Sequence, residues 1–241
     1  MLESYRSKFP LENVAVAFFC LALIGIVLAV TMQRIRFERS ETIAAVVKQN
    51  SNLAIAFEEH TVRTLKGIDQ ALQLIKHRYE QEGLKLILHK LVEDGEIDDS
   101  IFIGLGVDNE HGKRVLGRDD SKVINVADRE FFTFHRQQKN DEMFIGKPAL
   151  GRITGKWAIH MSRRINKPDG SFGGVVVAAV DPGYFTQFYR QTDLGAQGLV
   201  LLVGLDGIGR AKLAGEKGSF GDDWRGSSLL VEQAKGPVGN L

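Results

Sequence analysis

The stretch "GKWAIHMSRRINKPDGSFGGVVVAAVDPGYF", Gly155 to Phe185, reads as two strands joined by a tight turn and followed by a helix. "KPDG" suits a type I turn with Pro168 at its second position, and Gly170 supplies the left-handed residue of a bulged hairpin. Side chains alternate faces along a strand. Trp157, Ile159, Met161, Arg163 and Ile165 therefore share one face, taken as the core side, while Lys156, Ala158, His160, Ser162 and Arg164 share the other. His160 and Arg164 are assigned to solvent. Pairing Lys167 with Ser171 sets Arg163 opposite Val175, Met161 opposite Val177 and Trp157 opposite Asp181.

That register brings the carboxylate ending the second strand beside a tryptophan on the covered face. A buried carboxylate needs a partner, since an unpaired buried charge costs several kcal/mol. A protein arginine or a bound cationic ligand would serve; equally, Asp181 can cap the helix that opens at Pro182. A slip of one residue would exchange the faces and remove the pocket. Arg163, about 20 Å along the strand from Trp157 at ~3.3 Å per residue, can snorkel.

Outward from the hairpin, the chain changes character twice. "VAVAFFCLALIGIVLAVTM", Val14 to Met32, is nineteen residues without a charge, about 28 Å as a helix against a hydrocarbon core of ~30 Å. It reads as a membrane helix, uncleaved because it exceeds a signal-peptide core and is followed by "TMQRIRFER" rather than a small-residue cleavage site. Arg6 and Lys8 precede it and Arg34, Arg36 and Arg39 follow it, so charge bias alone does not orient it. From Glu38 to Gln81 apolar residues at Phe57, Leu65, Ile68, Leu72, Ile75 and Tyr79 form one helical stripe, a stalk of about 60 Å. A second helix is expected over Leu84 to Val92. "SIFIGLGV" and "KRVLG" around "DNEHG" form a hairpin. A short helix capped by Asp128 follows, then a strand at "MFIGKP". "GLVLLVGLDGIGRAKL" starts a new strand, turn and strand.

The stretch "DREFFTFHR…MFIGKPALGRITGKWAIHMSRRINKPDGSFGGVVVAAVDPGYF" resembles the membrane-distal module of double Cache sensor domains, in the subtype that precedes diguanylate cyclases and sensor histidine kinases. The resemblance extends from about residue 35 and is strongest between residues 125 and 210. It implies an α+β fold: an N-terminal membrane helix, a long stalk helix and a PAS-like antiparallel sheet, with the start of a second, incomplete module. The expected divisions are a cytoplasmic tail over 1–13, the membrane helix over 14–32, stalk and distal module over 33–190, and a truncated proximal module over 191–241. In the amino-acid-binding branch an "R-x-W-Y" motif holds the ligand carboxylate and a strand-ending aspartate holds its ammonium. Arg129 matches the arginine and Asp181 the aspartate. Phe131 and Phe132 replace the tryptophan and tyrosine, and "PALG" after Lys147 lacks the family's later tyrosine and aspartate. Arg152 and Trp157 belong to a "GR-x-x-G-x-W" pattern of the cyclase-associated subtype. The implied ligand is an organic acid or an amino-acid-like metabolite, with the lost contacts weighing against an amino acid itself.

Arginine suits bidentate carboxylate recognition, and aromatic walls exclude water. Arg129 and Asp181 could equally form a structural ion pair with each other. Other chemistries are not encoded. The 241 residues carry a formal net charge of +1, with 44% hydrophobic and 25% charged residues, and no basic cluster fit for nucleic acid. There is no phosphate loop, zinc-protease helix or nucleophile elbow. "DGEIDD", Asp94 to Asp99, fails as a calcium loop at Asp99 and Leu105, and Asp108, Glu110 and His111 read as a hairpin turn rather than a metal site. Cys20 stands alone in the apolar span. His135, on the short helix, could tune binding with pH.

The expected function is a non-catalytic, extracytoplasmic small-molecule sensor without cofactor or metal. It would be anchored in a bacterial inner membrane, homodimeric, and passing occupancy through its helices to a cytoplasmic cyclase or kinase. The competing expectations are an ectodomain that binds a protein partner and an anchored enzyme.

Overall fold

The computed structural model describes residues 11–98, 100–117, 124–191, 194 and 198–233. Arg6 and Lys8, and with them the charge flanking the span on its N-terminal side, lie outside these residues. Contacts divide the chain into two units, Met1–His60 and Thr61–Leu241.

The first unit is helical throughout its described residues, as part of helix α1, Leu11–Glu82. One continuous helix replaces the expected separate span and stalk, because no glycine or proline interrupts "TMQRIRFERSE" and the segment is rich in good helix formers. The apolar window of the span meets the length and composition needed to cross a membrane and buries none of its residues in the protein. Phe18, Phe19, Leu21, Ile24 and Val27 are all exposed.

The second unit begins with the last six turns of α1, Thr61–Glu82. The expected second helix is shorter than predicted: a single 3-10 turn, Gly83–Lys85, precedes α2, Leu88–Glu93. Next come β1 (Phe102–Asn109), β2 (Arg114–Gly117), α3 (Glu130–Gln137), β3 (Phe144–Leu150), β4 (Trp157–Asn166) and β5 (Phe172–Val180). The five strands form an antiparallel sheet of order β2-β1-β5-β4-β3. Pro148 is accommodated because β3 is an edge strand. After β5 the chain makes α4 (Tyr184–Gln187), a 3-10 turn, and a second sheet of β6 (Leu199–Val203), β7 (Gly209–Ala214) and β8 (Lys217–Ser219), then α5 (Ser228–Gln233). β8 was not foreseen; "KGS" is too short to carry a period.

One face of the large sheet is packed by α1. Ile68, Leu72 and Ile75 are fully buried with Leu105, Val107, Met161, Val176, Ala178 and Val180. The apolar stripe read from Leu65 onward is thus a core face. Arg163 does not snorkel: it is 9% exposed, and its Nε and Nη2 donate to the two carboxylate oxygens of Asp69 on α1 at 2.5 and 2.8 Å. Its Nη1 donates to the Asp141 carbonyl, and Lys76 binds the Asp141 carboxylate at 2.7 Å.

The hairpin register differs from expectation by one residue. The turn itself is as read, with Lys167 N donating to Ser171 O at 2.9 Å and Asn166 opposite Phe172. The pairing then shifts, so that Ile165 lies opposite Gly174, Arg163 opposite Val176 and Met161 opposite Ala178. The cause is a bulge at Gly173 and Gly174. Gly174 has φ +132°, and a Cβ there would stand 2.0 Å from the Asp108 carbonyl. The β4 faces remain as assigned, while those of β5 are exchanged: Val176, Ala178 and Val180 turn to α1, and Val175, Val177 and Ala179 to the other side. Trp157 pairs with Leu150 on β3, and Asp181 lies just past the end of β5.

The second face is not the wet side of the sheet. α3 covers part of it, burying Phe131 and Phe132 with Val175, Val177 and Val126. Arg164, assigned to solvent from the sequence, is buried there beside Ser162, and His160, assigned likewise, is half-buried. Arg164 donates to the carbonyls of His135 and Gln138 and lies 4.9 Å over the Phe172 ring.

Candidate functional site

Where α3 does not cover the second face, a cavity of about 390 Å³ remains. Its floor is β1, β5 and β4 at Gly104, Val177, Ala179 and His160, and its walls are Arg114, Ile124, Phe131 and the Gly151–Thr154 loop. Small residues on β1 make the room. Gly106 lets the Arg114 side chain lie across the strand, since a Cβ there would fall 2.1 Å from its Nη1.

Three guanidinium groups reach this cavity, each held differently. Arg114 donates from Nε and Nη2 to the oxygens of Asp108 at 2.6 and 3.2 Å. The two residues face each other across the β1–β2 hairpin, and Asp108 is 0% exposed. Burial pushes the Asp108 carboxyl up, against the pull of Arg114. Arg152 forks onto Asp128 at 2.8 and 2.5 Å and donates to the Asn125 carbonyl. Its hydrogen bonds hold the exposed Asp128 carboxyl below the usual range. Asp128 therefore anchors Arg152 instead of capping α3, whose N-cap is Arg129, without a side-chain cap. Arg129 donates from Nη2 to the Leu150 carbonyl at 2.7 Å and makes no ion pair among the described residues. Burial and the nearby Arg152 lower its pKa, and it remains a cation at any physiological pH.

His160 completes the ring of polar groups. Its imidazole stacks on Phe131, centroids 5.6 Å apart and planes 19° from parallel. Burial first, then Arg129 and Arg114, push its pKa down to about 4, so the ring is neutral near pH 7.

Of the six residues singled out from the sequence, Arg129, Phe131 and Arg152 come together at this cavity. Phe132 is fully buried one residue away, packed edge-on against Phe172 at 5.2 Å. Trp157 is 50% exposed and leans on Phe220 at 5.5 Å. Asp181 accepts a hydrogen bond from Gly183 N at 2.7 Å, within the turn before α4. The N-cap of α4 is Gly183, without a side-chain cap, so Asp181 does not cap the helix as expected; it borders a separate groove with Lys156, Tyr184 and Arg190. Arg114 and His160 went unremarked as site residues. Arg114 was legible as the cross-strand partner of Asp108 over "DNEHG", whereas His160 needed knowledge of α3.

His135 lies outside the cavity. Its Nε2 meets Ser162 Oγ at 3.0 Å in a fully buried setting, and burial lowers its pKa to about 4. Among the described residues no cluster of three or more His, Cys, Asp or Glu side chains could hold a metal ion.

The fold of this chain is seen in solved structures. The extracellular domain of rpHK1S-Z16, assigned as a histidine kinase, superposes with a TM-score of 0.67 at 24% identity, covering 76% of each chain. This chain has the fold of Cache, PAS-like extracellular sensor domains. An extracellular ligand-binding receptor from Desulfohalobium retbaense matches at TM-score 0.56 and 12% identity, over 74% of this chain and 32% of that one. The ligand-binding domain of the Pseudomonas fluorescens chemoreceptor CtaA, solved with L-serine, matches at 0.51 and 15%, over 64% and 66%. No family model and no curated protein matches the sequence. The Cache fold and the apolar N-terminal helix together fit a membrane-anchored periplasmic domain.

Proposed function

We propose that this chain is the extracytoplasmic sensing module of an inner-membrane receptor, binding a small organic acid in the cavity beside α3. Arg129 is the primary carboxylate ligand, Arg114 and Arg152 supply the surrounding positive field, and Phe131 forms the apolar wall. The observation that carries this reading is the convergence of three guanidinium groups on one cavity with a neutral histidine at its floor. Arg114 and Arg152 are oriented by Asp108 and Asp128 and so are pre-organised, while Arg129 is tied only to a carbonyl. A fork of fixed donors in a partly desolvated pocket is what carboxylate recognition requires. The aspartate that would meet an ammonium group, Asp181, lies elsewhere, which favours an acid over an amino acid.

β4 supports a route for the signal. His160 faces the cavity, and Arg163, three residues on, holds Asp69 of α1 from the opposite face. Occupancy that shifts β4 acts on α1 through this pair, and in a homodimer would alter the spacing of the membrane helices that drive a cytoplasmic cyclase or kinase.

The test is a thermal-shift screen of the full chain in detergent against carboxylic acids, amino acids, amines and purines. An acid at a hundred times its Kd adds about 2.7 kcal/mol of stability. Arg129→Ala is expected to fold normally and abolish that shift. Stabilisation by amines or purines alone, or a shift that persists in Arg129→Ala, would refute the acid-binding assignment.

A further inference from the structure

The cavity's charge can be counted. Arg114, Arg129 and Arg152 contribute three positive charges, and Asp108 and Asp128, both in the bidentate geometry of ionised pairs, contribute two negative ones. Among the described residues one positive charge remains, centred on Arg129. A monocarboxylate neutralises it, but a second carboxylate brought into the same partly desolvated space would be uncompensated.

Among the described residues, His160 is the group at the floor able to supply that compensation. It lines the cavity, is held flat by Phe131, and its ring nitrogens make no hydrogen bond within the protein among the described residues. Among the described residues, the groups around it come from several elements. α3 presents Arg129, β2 presents Arg114 and the Gly151–Thr154 loop presents Arg152. Its cross-strand neighbour on β5 is Ala179, beside Gly104 of β1, and Gly146 of β3 lies against its backbone. Burial first, then the repulsion of Arg129 and Arg114, keeps the histidine neutral, while the carboxylates of Asp108 and Asp128 are engaged by Arg114 and Arg152. An anion placed among the arginines opposes that repulsion.

We infer that His160 sets the charge the cavity accepts: with a neutral ring the site is matched to a monocarboxylate, and a dicarboxylate binds together with one proton taken up by the imidazole. This rests on the acid-binding assignment of the cavity and deepens it. The proton comes from solvent and no bond other than N–H is formed. A ligand that takes up one proton binds more tightly as pH falls, by up to about tenfold for each step of one in pH.

The probes are valerate and glutarate, five-carbon acids that differ by one carboxylate, titrated calorimetrically into the full chain in detergent. Measurements are made near pH 7 in two buffers of different ionisation enthalpy, where glutarate is doubly charged. Glutarate is expected to bind with uptake of close to one proton and valerate with none. His160→Gln, which keeps a hydrogen-bonding group of similar size, is expected to weaken glutarate about tenfold more than it weakens valerate and to abolish the proton uptake. Glutarate binding that Arg129→Ala abolishes, yet that takes up no proton in the unmodified protein, would overturn the inference while leaving the acid site intact. Failure of both acids to bind would instead overturn the acid-binding assignment, and this inference with it.

Discussion

The two faces of the five-stranded sheet are built from alternate residues of the same strands and serve different ends. The α1 face is dry and continuous: Ile68, Leu72 and Ile75 meet Val107, Met161, Val176 and Ala178, and its main charge, Arg163, is paired with Asp69. The α3 face is half closed. Phe132 and Val175 pack at one end, while glycines on β1 and the short span of α3 leave the arginine-lined cavity at the other. The continuous core lies on the first face and the proposed binding cavity on the second, and β4 contributes to both.

The largest expected effect tests whether the cavity face also carries stability. Arg114→Met would strand the fully buried Asp108 without its partner, costing about 3–5 kcal/mol; urea unfolding should show it, and a loss under 1 kcal/mol would mean that water reaches Asp108. On the opposite face, Leu72→Ala removes a fully buried side chain and should cost about 2–5 kcal/mol. Acid binding per folded molecule should be unchanged in that variant; weakened binding would show that the faces are less separate than described.

A third effect of somewhat smaller size concerns pH. The folded pKa of His135, about 4, lies below its ordinary value, so the unfolded chain binds the extra proton between about pH 6.5 and pH 4. The neutral ring's stability is complete above that window and is lost as pH falls through it, by at most about 3 kcal/mol. His135→Gln should flatten the acid limb of an unfolding-midpoint profile, and an unchanged limb would place the acid sensitivity elsewhere. The smallest effect is expected at Asp181. Asp181→Ala should cost about 1 kcal/mol as a lost turn hydrogen bond and leave the ligand-induced thermal shift intact; loss of that shift would return Asp181 to the site.

Much of the fold is legible in the sequence. The charge-free span, the stripe from Leu65 to Tyr79 and the "NKPDGS" turn follow from length, period and turn chemistry, which act locally. The bulge at Gly173 and Gly174 was not legible as such: consecutive glycines permit it, but the approach of β1's Asp108 carbonyl requires it. That one-residue shift exchanged the faces of β5 and parted Asp181 from Trp157.

The family motif brought Arg129, Phe131 and Arg152 to notice, and they do meet at one cavity. Alternation placed His160 correctly on the face opposite Ile159, but could not say what covers that face. An exposed and a covered strand face carry the same period, and His, Ser and Arg suit either water or a polar pocket. By itself, then, the sequence determined what depends on neighbours in the chain: the apolar helix, the amphipathic packing stripe, the strand periods and the turn. Tertiary structure alone decided what depends on distant segments. It paired Arg163 with Asp69 across 94 residues, set Arg114 and Arg152 around Arg129, and made His160 part of a cavity floor, because burial and charge compensation are settled by packing rather than by local spacing.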